Sequence, residues 1–206
     1  MLKQTEIQKA RRHLRAVDPV MKDIIAAVGP FSLCLDRDRF GMLVRCIISQ
    51  QISGYAAASI IRRLRTLAGP GGLKAANLAR FSVAELRSVG LSPQKASYVT
   101  DLVRKVNDGT VDLRLIGRLS DEQVVEHLIQ VKGIGRWTAQ MFLIFSLGRL
   151  DVFPHDDLGV RSAIRDNYGL ADLPNKETAI EIAEPWRPYA SVASWYCWRT
   201  LDLNGT

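Results

Sequence analysis

The chain reads as all-α. Helical hydrophobic spacing flanks its one tight glycine turn, the punctuation elsewhere is that of helix ends, and no stretch alternates with period two for long enough to require a strand. The first helix, expected over 3–16, is charged and amphipathic. Asp18-Pro19 then supplies an N-cap with proline at the first helical position, and Gly29-Pro30 closes the helix 19–28. "FGMLVRCIISQQ" is apolar on nearly all sides, which predicts a buried helix over 40–51. Ser53 caps the next, 54–68, while "AGPGGLKAANLARFS" reads as a loop within the fold. Ser82 with Glu85 forms a capping box for 83–88, Ser92-Pro93 starts 93–107, and Ser120 with Gln123 boxes 121–130. Helices over 136–147, 157–167, 176–184 and 188–201 complete the series.

With 206 residues, the chain can hold one sizeable core or two small lobes sharing a cleft. The two-lobed division pairs the terminal segments, 1–52 with 148–206, and makes the other lobe from 53–147, with the active-site cleft between them. No additional N-terminal sheet domain is expected. Hydrophobic residues make up 47%, which argues against disorder. The net charge of +7 and pI of about 9.6 favour a polyanionic partner, nucleic acid first. No window approaches the roughly 18 apolar residues of a membrane span, and the N-terminus lacks a signal-peptide core, so a cytoplasmic protein with no membrane partner is expected; a monomer is expected as well. Cys34, Cys46 and Cys197 lie far apart and cluster with none of His13, His127 and His155. Neither zinc nor an iron-sulfur cluster has ligand spacing, so the thiols read as free and buried.

"LIQVKGIGRWTAQMF", 128–142, breaks two helices with Gly133 and Gly135. These glycines permit positive φ and close backbone approach. A helix beginning at Arg136 offers unpaired N–H groups and the positive end of its dipole. With Lys132 and Arg136 alongside, the natural ligand is a phosphate, held without reading base sequence. The plain alternative is an αα-corner in which the glycines only let the chain turn.

The full run from the first helix through "KGIG" to "RWTAQMF" resembles the helix-hairpin-helix DNA glycosylases, a superfamily named for this motif and a following Gly/Pro-rich loop and aspartate. The loop and acid follow in "RLDVFPHDDLGVRSAI". "IISQQIS", "VGLSPQKASYVTDL" and "WRPYASVASWYCWR" are similar to the alkylbase-removing branch, the 3-methyladenine DNA glycosylase II family, so the resemblance runs from about Phe40 to Arg199.

It implies a monofunctional hydrolase that takes alkylated purines of the 3-methyladenine and 7-methylguanine type from double-stranded DNA and leaves an abasic site in base excision repair. Such an enzyme works on the nucleoid of a bacterium or in the nucleus of a eukaryote. The implied phosphate clamp comprises Lys132, Gly133, Ile134, Gly135, Arg136 and Thr138. A monovalent cation often accompanies the hairpin, held by main-chain carbonyls that map to Ile129, Val131 and Ile134, and no cofactor is otherwise required. Asp157 takes the place of the catalytic carboxylate, with Asp156 a cap or support; read alone, an aspartate at a helix start is a cap.

Because the bond cannot be reached inside the duplex, the nucleotide must be extruded, and Gln51 falls at the position of the wedge that fills the gap. Its plain reading is a helix-end residue facing water. Trp137 and Trp195 fall where the family has pocket tryptophans, although without the resemblance the residues alone favour core packing for both. Met141 and Leu158 stand where some relatives carry tyrosine, leaving fewer rings for the base. Trp137 also replaces the lysine with which strand-cutting relatives form a Schiff base, so lyase chemistry is not expected. Two rival readings are a glycosylase for deaminated or oxidised purines and a non-enzymatic helix-hairpin-helix DNA-binding protein.

Overall fold

A computed structural model describes residues 2–203. Twelve α-helices account for most of them, and among the described residues there is no strand. In chain order they are α1 (Gln4–Val17), α2 (Pro19–Val28), α3 (Arg39–Ser49), α4 (Gly54–Ala68), α5 (Ala75–Leu78), α6 (Val83–Ser88), α7 (Pro93–Asn107), α8 (Asp121–Leu128), α9 (Arg136–Phe142), α10 (Leu158–Tyr168), α11 (Lys176–Ala183) and α12 (Ala190–Leu203). No helix among the described residues is long and apolar enough to cross a membrane.

The chain divides into two compact units, one of Met1–Leu35 with Leu143–Thr206 and one of Asp36–Phe142. The expected boundaries, after residue 52 and after residue 147, are both displaced. The first moves because α3 buries Phe40, Leu43, Val44, Ile47 and Ile48 and packs on α4, α7 and α9, which places it in the hairpin's unit. The second coincides with a change of winding. The expected continuous helix 136–147 is α-helical to Phe142 and then opens into a wider π turn over Leu143–Leu147.

In the terminal unit α1, α2, α10 and α12 enclose Leu14, Met21, Ile25, Ile164, Trp186 and Tyr196. Asp18 organises this core. Its Oδ1 caps α2 by accepting from the Met21 N–H at 3.0 Å, while Oδ2 accepts from Trp186 Nε1 at 2.8 Å and from the Tyr168 hydroxyl. Burial and the adjacent Asp18 carboxylate push the Tyr168 hydroxyl far above its usual range, so the phenol remains a donor.

In the hairpin's unit, α7 is a central support for α3, α5 and α6. The predicted capping boxes form at Ser82–Glu85 and Ser120–Gln123. The segment after α4 is less of a loop than expected, since "GPG" makes a 3₁₀ turn and Ala75–Leu78 a single α turn that buries Ala75 and Leu78. Four residues are too few to carry a readable hydrophobic period.

Replacing Asp18 with alanine removes a cap and strands two buried donors. Asp18→Ala is expected to lower unfolding free energy by about 3 kcal/mol in denaturant titration, well beyond the roughly 1 kcal/mol of a cap alone.

Candidate active site

The carboxylate belongs to the terminal unit, and the structure shows how it is delivered. Gly148 leaves the π turn with φ +72, close under Leu35 and Leu2. The chain that follows is pinned to the start of α12, because the Ser191 hydroxyl accepts from the Val152 N–H at 2.8 Å and the Ser191 N–H donates to the Leu150 carbonyl at 3.0 Å. Phe153 and Pro154 are buried, and the Asp157 N–H closes a turn onto the Pro154 carbonyl at 2.9 Å.

Asp157 thereby becomes the N-cap of α10, with only 8% of its surface exposed. Its Oδ1 accepts from the Val160 N–H at 2.8 Å and from Trp198 Nε1 at 2.8 Å. Trp198 is set in turn by Phe145, whose ring centroid lies 5.4 Å away. Gly159 fits beneath this pair, since a Cβ there would approach Asp157 Oδ1 and Trp198 Cδ1 at 3.1 Å each. The capping reading of Asp157 is therefore correct as far as it goes, but a cap does not need an indole fastened to the same oxygen. Asp156 is exposed, its Oδ1 3.0 Å from His155 Nδ1.

In the other unit the hairpin joins α8 to α9, and its glycines differ in kind. Gly133 has φ +80, and a Cβ on it would lie 2.0 Å from the Tyr98 ring. Gly135 has no positive φ, and a Cβ on it would meet nothing within 4 Å. Positive φ, which both glycines permit, is thus used only by Gly133, while Gly135 leaves the space at its Cβ position open. Behind the turn, the Lys132 N–H donates to Asp101 Oδ2 at 2.9 Å. Burial works to raise the Asp101 pKa, but that N–H, Arg104 and Lys105 outweigh it and hold the carboxyl below its ordinary range.

The clamp residues do not all present side chains outward. Lys132 and Arg136 are exposed, and Arg136 is engaged in a bidentate pair with Glu122 at 2.7 and 3.1 Å, which lowers the Glu122 pKa. Ile134 and Thr138 are buried, so their part in a phosphate site is confined to the main chain. For a cation, Ile129 lies at the C-cap of α8 and Val131 accepts from the Ile134 N–H at 3.0 Å. Together with Ile134 they offer neutral carbonyl oxygens, a donor type suited to a hard monovalent ion. Among the described residues no three His, Cys, Asp or Glu side chains gather as metal ligands.

Gln51 is not in a helix. α3 ends at Ser49, and Gln51 takes φ +56, the one positive φ at a non-glycine among the described residues. It is exposed and stands in the wall common to two cavities. One, of about 400 Å³, is lined by Tyr98, Gly133, Ile134 and Gly135. The other, of about 480 Å³, is lined by Met42, Arg45, Cys46, Ser49 and Trp137. Arg45 is ion-paired with Asp36 and, at 3.2 Å, with Asp38. Burial pushes the Cys46 thiol up to about 11, so it remains neutral at physiological pH.

The four expected pocket residues are not alike. Trp137 is 41% exposed and lines the larger cavity. Met141 is buried in α9, and Leu158 is 65% exposed beside Asp157. Trp195 is only 5% exposed and packs in the terminal unit's core, with Phe31 at 4.6 Å and Tyr196 at 5.0 Å between ring centroids. Sequence reasoning missed Trp198 as Asp157's partner and the α3 face of Met42, Arg45, Cys46 and Ser49. That face has helical i, i+3, i+4, i+7 spacing, a signal hidden by the apolar character of α3 all round.

Residues 44–188 match the family described as HhH-GPD superfamily base excision DNA repair protein. The chain belongs to this superfamily. DNA-3-methyladenine glycosylase 1 of Schizosaccharomyces pombe is 33% identical over 204 residues, covering 97% of this chain and 90% of its own. The solved Schizosaccharomyces pombe 3-methyladenine DNA glycosylase in complex with abasic DNA superposes with a TM-score of 0.88 at 31% identity, covering 96% of this chain and 98% of that one. DNA-3-methyladenine glycosidase from Bacillus halodurans gives 0.85 at 33% identity over 95% and 90% of the two chains. The superfamily match takes in Gln51, the hairpin and Asp157, whereas Trp195 and Trp198 lie beyond its end at residue 188.

The two hairpin glycines should respond differently to substitution. Gly133→Ala is expected to cost at least about 2 kcal/mol of stability from strain and overlap with Tyr98. Gly135→Ala should melt like the parent yet weaken binding to duplexes of every sequence alike, as measured by fluorescence anisotropy.

Proposed function

We propose that this protein is a monofunctional DNA glycosylase that hydrolyses the N-glycosidic bond of extruded alkylated purines in double-stranded DNA, leaving an abasic site. The observation that carries the proposal is Asp157, a buried carboxylate fixed through Oδ1 by a helix N–H and an indole. The relatives named 3-methyladenine DNA glycosylase support the substrate class.

Departure of an alkylated purine leaves oxocarbenium character on the sugar. A carboxylate already held in place stabilises that charge without reorganising, and can orient or deprotonate the attacking water. The base itself needs little protonation, because N-alkylation has already made it cationic. Trp137 offers the ring face that such a cation favours. With no tyrosine at Met141 or Leu158, stacking falls to few rings, which suits bases recognised mainly by charge. Reach to the bond requires extrusion, with Gln51 entering the vacated space and the Gly133–Gly135 amides holding the backbone. If a monovalent cation binds, the carbonyls of Ile129, Val131 and Ile134 would hold it, adding positive charge beside a phosphate. Trp137 has no amine, so no covalent sugar adduct forms and the strand stays intact.

The direct test is incubation with methylated DNA and chromatography of the freed bases. Release of 3-methyladenine or 7-methylguanine with strand scission only after alkali is expected, and release of oxidised guanine alone would overturn the substrate assignment. Asp157→Asn preserves the cap, because asparagine caps as well as aspartate, so it removes charge without removing structure. It should reduce single-turnover release by about 10²-fold or more while duplex affinity is maintained. Undiminished turnover would instead favour a binding protein whose carboxylate is only a cap. Trp198→Phe, which retains the ring but not the N–H, should slow release by about tenfold through a misplaced carboxylate.

A further inference from the structure

Lys95 occupies an unfavourable place for a lysine. It sits in the first turn of α7, three residues after the Ser92 cap, where the helix presents its own positive end. Its ammonium does not project into solvent. It donates to the Ile48 carbonyl at 2.6 Å and to the Gln50 carbonyl at 2.6 Å, at the end of α3 where carbonyls lack helical donors.

These are the carbonyls on either side of Ser49, immediately before the chain enters the strained Gln51 conformation. A second tether joins the same turn to the hairpin, since Gln50 Nε2 donates to the Gly133 carbonyl at 2.8 Å. A positive φ at a residue with a side chain persists only where the surroundings impose it. Glycine would relieve the backbone, but it would remove the side chain that stands between the two cavities.

We propose that Lys95 is a positioning residue for base extrusion, its ammonium and the Gln50 amide together locking the turn that presents Gln51 in fixed register with the phosphate-binding hairpin. The inference rests on the reading of Gln51 as the wedge. Lys95 touches neither base nor sugar. It acts through Gln51, by making insertion a property of a preformed turn and not of a mobile loop. Contact of the hairpin with a phosphate is then mechanically linked to the wedge through the Gln50–Gly133 hydrogen bond.

The test is a double-mutant cycle between Lys95→Met, which keeps chain length without the ammonium, and Gln51→Ala, which removes the wedge. The probe is a duplex carrying 2-aminopurine beside a tetrahydrofuran abasic analogue, whose emission rises when the neighbouring stack is opened. Lys95→Met should abolish most of the rise and slow single-turnover release of 7-methylguanine by about tenfold, with affinity for undamaged duplex held within about twofold. In the Gln51→Ala background the same substitution should have no further effect on either readout. Gln50→Ala, which cuts the other tether, should reproduce the pattern, and it decides the matter should Lys95→Met fail to fold by circular dichroism. Additive losses in the cycle, or a wild-type emission rise from a folded tether variant, would overturn the proposal. An emission rise that depends on Lys95 in a protein releasing no methylated base would refute the glycosylase reading while leaving this inference standing.

Discussion

The structure depends most on the immobilisation of one carboxylate. Asp157 is buried, caps α10 and receives the indole N–H of Trp198 on the same oxygen that serves the cap. Removing a carboxylate from water is unfavourable unless its hydrogen bonds are replaced, and the loop after the π turn, the start of α10 and α12 are all arranged to replace them. Ser191 pins the incoming loop, Pro154 closes the turn before the acid and Gly159 leaves room for the indole. A carboxylate confined in this way can answer positive charge on a sugar without first having to move.

The hairpin's unit solves a different problem, which is to fix the backbone of a tight glycine turn. Gly133 turns against Tyr98, Asp101 draws the Lys132 amide inward and Gly135 leaves the outer surface bare. The turn at Gln51 shares this foundation, because α7 provides both Tyr98 beneath the hairpin and Lys95 beneath the end of α3. Backbone strain at Gln51 is sustained by the surrounding hydrogen bonds, the usual condition under which a non-glycine residue keeps positive φ.

Charge is distributed to the same end. The net +7 suits a polyanion in general, yet two arginines of the hairpin's unit are already committed. Arg45 is bound by Asp36 and Asp38, and Arg136 by Glu122. Neutralised in this way, Arg45 lines the larger cavity without presenting bare positive charge to it. The exposed Arg136–Glu122 pair adds little stability, so its value is in shaping local potential.

Helix identity was legible in the sequence because caps and breakers act locally: Asp18-Pro19, Ser82–Glu85 and Ser120–Gln123 each fix a helix start within a few residues. The glycine turn, the acid at the head of α10 and the membership of the superfamily were legible for the same reason, each being a short run in which spacing carries the chemistry. The ends of helices were less so. The Gln51 turn arises where a distant group, Lys95, takes up carbonyls at the end of α3, and the helix expected over 136–147 changes to π winding over Leu143–Leu147. Partners were illegible altogether: nothing in the order of residues ties Trp198 to Asp157 across 41 positions, separates Trp195 in the core from Trp137 at a cavity, or sends the ammonium of Lys95 to Gln50. Local sequence determined what each segment is, since capping and periodicity act over one or two helical turns. Only tertiary packing decided which oxygen is held and which side chain is presented, because those depend on groups that folding alone brings within hydrogen-bonding distance.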